Sequence, residues 1–239
     1  MIERHLQRLR ARDVISAAEE QAIRDAVSEE RLLPANKTFI HAGQEIRQSV
    51  ILFDGMMCRY KDLRNGQRQI SELHVAGDFP DLHGFTLKTL DHHMMTLTPC
   101  LVGTVPHERL EAITRDHPHL TRVYWFHTNL DAAISREWEL SLGRRSAVAR
   151  VGALFLELEA RLQLTEMASD GEYHLPLTQA TLAECIGLTP VHVNRTLKEL
   201  RERGLVTFAE RRVCIHDRAG LARLAEFDPA YLYLERRDR

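Results

Sequence analysis

Residues 175–206 read Leu-Pro-Leu-Thr-Gln-Ala-Thr-Leu-Ala-Glu-Cys-Ile-Gly-Leu-Thr-Pro-Val-His-Val-Asn-Arg-Thr-Leu-Lys-Glu-Leu-Arg-Glu-Arg-Gly-Leu-Val. Thr178 is an N-cap candidate for a short helix running to Ile186, and Gly187 stands where a helix end needs positive φ. Thr189 caps a second helix, and Pro190 takes its first position, where a missing N–H costs nothing. Two short helices joined by a tight turn make a helix-turn-helix. At 100° per residue, Val193, Leu197 and Leu200 share the face expected to pack inward. Val191, Arg195 and Lys198 share the opposite face, flanked by His192 and Asn194. Such an outward set, near the helix N-terminus, suits the major groove. Arg195 suits guanine O6 and N7, Val191 a thymine methyl, and Asn194 an adenine or a phosphate. Thr178, Gln179, Thr189, His192 and Lys198 suit phosphate contacts, which orient without reading sequence.

After Gly204, two short apolar runs flank Arg211 and Arg212, as in a β-hairpin wing placed against phosphates. From Leu188 to Arg212 six basic residues face three acidic ones, although the whole chain has a net charge of −2. Positive charge is therefore local. A protein-binding winged helix is the other reading, but its exposed face would be apolar rather than basic.

Upstream, Gly143-Arg144-Arg145 reads as a hinge and Ser146 as the cap of a helix running to about Leu164; Thr165–Glu172 reads as a polar loop. Pro118 opens a long helix in which Leu120, Val123, His127, Leu130, Ile134 and Trp138 recur at 3-4 spacing. That seam suits pairing with a partner's helix; a core helix within one subunit is the alternative. Residues 38–106 hold six short apolar runs: Thr38–His41, Val50–Phe53, Met56–Tyr60, Gln69–His74, Met94–Leu97 and Leu101–Val105. Asp54-Gly55 and Asn65-Gly66 are hairpin signals, and the spacing predicts an antiparallel roll. Residues 1–31 read as helical, with Ser16 as a cap and Pro34 as a stop. The expected divisions are residues 1–117, 118–145 and 146–239, an α+β architecture.

The 239 residues, 44% hydrophobic and 28% charged, exclude disordered and disulfide-rich classes. No run approaches the ~20 apolar residues of a membrane span, and a cytoplasmic location is expected. Cys58, Cys100, Cys185 and Cys214 form no CxxC pair and read as reduced thiols. The scattered histidines suggest no metal site, and no nucleophile–base pair suggests an enzyme.

The order of roll, long helix, hinge and winged helix resembles the Crp/Fnr family along nearly the whole chain. Leu182-Ala183, the Gly187-Leu188-Thr189 turn and Val193-Asn194-Arg195-Thr196-Leu197 look like its Fnr-side members. The resemblance implies a homodimeric regulator of transcription with a cyclic-nucleotide-binding-like roll. It also implies double-stranded DNA and RNA polymerase as partners, and a small-molecule effector. The family's guanine-reading arginine falls on Arg195, but its usual glutamate falls on Val191, so a different half-site is expected. Gly77-Asp78-Phe79 opens the family's nucleotide loop. The Gly-Glu pair of that loop falls on Asp81 and Leu82, and its Arg-Ser pair on His92 and His93. Without the phosphate-binding guanidinium, little or no cyclic AMP binding is expected. The effector-pocket candidates are Gly77, Asp78, Asp81, Leu82, His83, His92 and His93, with no cofactor named. With no cysteine before Cys58, the oxygen sensing of other family members through an N-terminal cysteine cluster does not carry over. A haem, redox or small-ligand sensor of the same fold is the alternative, and a cupin-like metalloenzyme ranks last.

Overall fold

The computed structural model describes residues 2–239. Contacts group them into two compact units: one holds the chain up to Tyr60, Leu73–Ala132 and Tyr233–Arg239, the other Lys61–Glu72 and Ala133–Leu232. The elements of the N-terminal part are α1 (Glu3–Arg10), α2 (Ala17–Ala26), β1 (Glu29–Leu33), β2 (Thr38–Ile40), β3 (Gln48–Asp54), β4 (Met56–Asp62), β5 (Arg68–Val75), α3 (Gly84–Leu87), β6 (His93–Thr96), β7 (Cys100–Pro106), α4 (His107–Asp116) and α5 (Pro118–Arg144). The strands form two antiparallel sheets ordered β1-β7-β3 and β2-β6-β4-β5.

All six expected strands are present. Strand β3 shows why the roll holds together. Ile51 and Phe53 point to a core shared with Leu6, Leu9, Leu120 and Val123 of the flanking helices. Val50 and Leu52 point the other way, to Leu33, Met57 and Val102. Period-two alternation thus buries both faces. The helix expected through residue 31 ends sooner: Ser16 and Glu19 form a reciprocal capping box for α2, but Val27 is already extended. Glu29–Leu33 then pair antiparallel with Cys100–Thr104. Only Leu33 of β1 is buried, so the strand carries no apolar alternation to read.

Helix α5 is 27 residues long and runs through Gly143. The chain breaks one step later, at Ser146, whose Oγ accepts from Ala149 N. The division between the compact units falls within this helix, after Ala132. The expected seam is covered by the chain itself. Leu120, Val123, Leu130, Ile134 and Trp138 are at most 8% exposed in a single subunit. His127 lies 6.5 Å, centroid to centroid, from His5 of α1. These side chains serve the subunit's own core. The exposed stripe of α5 is instead Trp125, Asn129, Ala132, Arg136 and Glu139, with Leu140 beside it.

The C-terminal part comprises α6 (Ala147–Gln163), β8 (Ala168–Ser169), β9 (Glu172–His174), α7 (Gln179–Ile186), α8 (Pro190–Glu202), β10 (Val206–Ala209), β11 (Arg212–Ile215) and α9 (Arg218–Ala225). Its sheet is ordered β10-β11-β9-β8, so the segment expected to be a loop at 165–172 contributes β8 and the start of β9. Glu157 is the buried polar hub of α6. It accepts from Trp138 Nε1 at 3.0 Å, Tyr231 Oη at 2.8 Å and Arg161 Nη1 at 3.0 Å. Those donors answer the burial that pushes its carboxyl pKa up. Among the described residues, no helix is long and apolar enough to cross a membrane.

Candidate nucleic-acid interface and effector loop

The two helices of the reading head begin as their caps dictate. Thr178 Oγ1 accepts from Thr181 N at 3.0 Å, and Thr189 Oγ1 from His192 N at 3.2 Å. Gly187 joins them in the left-handed region, φ +65°. Val193 and Leu200 are fully buried. Leu197, expected beside them, is half-buried, and Thr196 fills the inner face instead, its hydroxyl donating to His192 O at 2.9 Å.

The outer face of α8 is as expected. Val191 is 73% exposed, and His192, Asn194, Arg195 and Lys198 are exposed with it. Thr178, Gln179 and Thr189 border that face, also exposed. Asn194 Nδ2 donates to Gln179 Oε1 at 3.4 Å, which ties the two helices together on their outer side. Lys198 lies 3.7 Å from Glu202. Arg195 has no hydrogen-bond or ion-pair partner among the described residues. It carries an uncommitted guanidinium, the form a base edge or phosphate can take.

The wing hairpin pairs Val206–Ala209 with Arg212–Ile215 through a two-residue turn, Glu210 and Arg211, both at positive φ. Arg211 is exposed at the tip. Arg212 is committed to Glu172 of β9 at 2.9 Å, so the two arginines are not equivalent. Cys185 is buried on α7, Cys58 and Cys100 are buried in the roll, and Cys214 on β11 is half-buried.

The effector-loop candidates fall into separate groups. Gly77, at φ +96°, lies against α1 so closely that an added Cβ would sit 2.6 Å from the Arg8 side chain. His5 Nδ1 donates to Gly77 O at 2.9 Å, and burial pushes that imidazole pKa down to about 4. Asp78 is held by Arg8 at 2.6 Å and by Val75 N at 2.8 Å. Both residues thus dock α1. Leu82 belongs to the apolar core. Asp81 is fully buried; its Oδ1 accepts from Val50 N at 2.8 Å, and burial pushes its pKa up to about 7.

His83 and His92 come together, ring centroids 5.3 Å apart. Beside them stands Arg59 of β4, which sequence reading passed over. Its Nε donates to Pro80 O at 3.1 Å, and its Nη2 lies 2.7 Å from Asp131 of α5 and 3.4 Å from His83 Nδ1. Burial first, and the Arg59 charge second, hold His83 far below the usual imidazole range. The available signal was the charge of Arg59 between the buried Cys58 and Tyr60 of β4; Asp131, half-buried beside the exposed Ala132, gave none. His93 stands apart, stacked 5.0 Å from Tyr60 and accepting from Ala42 N at 3.2 Å. Positions 92 and 93 therefore do not converge on one ligand.

A cavity of about 360 Å³ opens in the roll, lined by Leu33, Phe39, Ile46 and Val102, with Asp81 in its wall and Arg31 and Arg47 among its polar lining. Among the described residues, no cluster of three or more histidine, cysteine or acidic side chains is placed to hold a metal ion.

Comparison with known proteins matches residues 149–224 to the Crp-like helix-turn-helix domain and residues 30–117 to the cyclic nucleotide-binding domain. The nitrogen fixation regulation protein FixK of Azorhizobium caulinodans is 28% identical over 195 residues, covering 80% of this chain and 77% of its own. The transcriptional activator protein FnrL of Cereibacter sphaeroides is 28% identical over 210 residues, covering 85% and 83%. The solved structure of FixK2 from Bradyrhizobium japonicum shares the fold with a TM-score of 0.75 and 24% identity, over 82% of this chain and 96% of that one.

Proposed function

Because the chain belongs to the Crp/Fnr family of DNA-binding transcription regulators, we propose that it acts as a homodimer on a near-palindromic operator in the bacterial cytoplasm, with RNA polymerase as its downstream partner. Two α8 helices enter major grooves ~34 Å apart. Arg195 reads a guanine, Val191 contacts a thymine methyl, and Asn194, already braced by Gln179, works at the edge of that surface. Thr178, Gln179, Thr189, His192, Lys198 and Arg211 hold phosphates, while Arg212 braces the wing through Glu172. The partner subunit packs on the exposed α5 stripe of Trp125, Asn129, Ala132, Arg136 and Glu139.

The observation that carries the reading is the exposed, unpartnered Arg195 on the outer face of a capped recognition helix. Selection of random duplex DNA on the purified protein, repeated with Arg195→Ala, tests it. Enrichment of a palindrome that is lost or relaxed in the variant supports it; equal enrichment by both proteins overturns the assignment of Arg195.

The effector of this reading is a small molecule other than cyclic AMP. Positions 92 and 93 offer imidazoles with separate partners, Asp91 and Ala42, instead of a guanidinium, and Arg59 is engaged with Pro80 and Asp131. Saturable cyclic AMP binding at sub-micromolar ligand, measured by calorimetry, overturns this part. The roll cavity favours a ligand sensor over a haem or redox one, since about 360 Å³ is at the small end of ligand-pocket volumes.

A further inference from the structure

Helix α7 ends where the helix-turn-helix turns, and its last carbonyls have no partner within the helix. Ala183 O is taken by the N–H groups of Gly187 and Leu188. The next three carbonyls lie against donors of two side chains from outside the motif. Gln69 Nε2 donates to Glu184 O at 2.8 Å and lies 3.1 Å from Cys185 O. Arg150 Nη1 of α6 donates to Ile186 O at 3.1 Å, while its Nε donates to Arg145 O at 3.0 Å.

Gln69 belongs to the hairpin that joins β4 to β5, and residues Lys61–Glu72 of that hairpin share a compact unit with the reading head. The hairpin is braced across its strands by Arg68 and Asp62, at 2.8 and 3.0 Å. The Gln69 amide is steadied by Ile70 O at 2.8 Å. At the turn itself, a Cβ on Gly187 would lie 3.2 Å from Leu142 and 3.6 Å from Gln69 Oε1, so Gln69 also walls the turn from outside.

We propose that Gln69 is a positioning residue for DNA recognition. By donating to the end carbonyls of α7 it fixes the turn, and the turn fixes the angle at which α8 presents Val191 and Arg195. Strands β4 and β5 are continuous with the roll sheet that carries Arg59, so a ligand that shifts those strands shifts the cap. This inference rests on the DNA-reading role of α8.

The test compares Gln69→Glu, which has the same shape but presents an oxygen to carbonyl oxygens, with Gln69→Lys, which keeps a donor and suits a helix C-terminus. Gln69→Ala is the third variant. Operator affinity, affinity for a random duplex, thermal midpoint and labelling of Cys185 by a thiol reagent, located by mass spectrometry, are measured on each full-length protein. Gln69→Glu is expected to weaken operator binding about tenfold, toward the low end of site-to-site coupling, with random-duplex affinity unchanged. Cys185, buried in the wild type, becomes reactive in it. Gln69→Lys keeps operator affinity near wild type. If the Glu variant fails to fold, the Lys–Ala comparison decides. Operator affinity equal in all variants, or lost equally with Lys and Ala, overturns the proposal. Failure of the wild-type protein to prefer any operator instead overturns the DNA-reading role itself.

Discussion

Arg195 and Lys198 stand on the same side of α8, but only Lys198 has an acid nearby, Glu202 at 3.7 Å. Arg195→Ala is therefore expected to cost about 1–3 kcal/mol of operator binding and to relax one base position. Lys198→Ala should weaken all duplexes alike and reduce the salt slope by about one. Fluorescence anisotropy at several salt concentrations separates the two, and a relaxed base preference in the lysine variant contradicts this division. The exposure of these side chains was legible because capping and 100° spacing act within a few residues. The commitments of Asn194 to Gln179 and of Arg212 to Glu172 were not legible, since each depends on a residue 15 or 40 positions away. Asp81 carries a titration that stability should report. Its folded pKa, about 7, lies above its unfolded value because burial disfavours the carboxylate. Its contribution is then fully present below about pH 4 and lost as pH rises through about 7. Asp81→Asn should remove that loss, so the thermal midpoint of the variant gains on the wild type between pH 5 and 8. Parallel melting curves for the two proteins over that range contradict this.

At the scale of elements, α5 separates two kinds of apolar position that its sequence pattern could not. The 3-4 repeat of Leu120, Val123, Leu130, Ile134 and Trp138 is real, but it is buried in the single chain, with Leu120 and Val123 in the core shared with α1 and Trp138 against Glu157. A periodic stripe states that a helix face is covered, not what covers it. The exposed stripe escaped notice because Asn129, Arg136 and Glu139 are polar. Leu120→Ala should cost about 2–5 kcal/mol of subunit stability, since the side chain is 0% exposed. Ala132→Arg, on the exposed stripe, should leave the fold intact and shift the protein towards monomer. Light scattering and circular dichroism together check this pair of expectations: a fully dimeric Ala132→Arg protein moves the interface elsewhere. The six central strands were readable for the opposite reason. Each is bounded by turn residues and buried enough to be apolar, whereas β1 is exposed along four of its five residues and β8 is two residues long.

Across the whole molecule, the chain does not fall into consecutive blocks, which is why divisions read along the sequence could not match the compact units. Residues Tyr233–Arg239 follow the reading head in sequence yet pack with the N-terminal unit. There Arg12 Nε donates to Tyr233 O at 3.3 Å, Arg237 N donates to Arg12 O at 3.0 Å, and Arg239 donates to the same carbonyl at 2.7 Å. The Arg239 guanidinium also stacks 3.5 Å above the Phe126 ring and stands 3.5 Å from Asp13, which is 1% exposed. Asp13 keeps a second partner, since the imidazole Nε2 of His119 lies 3.4 Å away. Removing the segment therefore weakens the charge balance around a buried carboxylate without leaving it alone, and uncovers the Phe126 face. A cation–aromatic contact contributes about 0.5–2 kcal/mol. A loss of that order lowers the melting midpoint of a unit this size by a few degrees. Deleting residues 233–239 should lower the first transition in scanning calorimetry, because the N-terminal unit loses its clasp while the caps and core of the reading head are untouched. Arg239→Ala should reproduce part of the shift, and in the double variant with Asp13→Asn the two effects should sum to less than their separate costs, since they share the ion pair. A deletion that leaves every transition in place shows that the clasp contributes nothing to stability. A deletion that lowers only the transition of the reading head shows that the segment acts on the other unit.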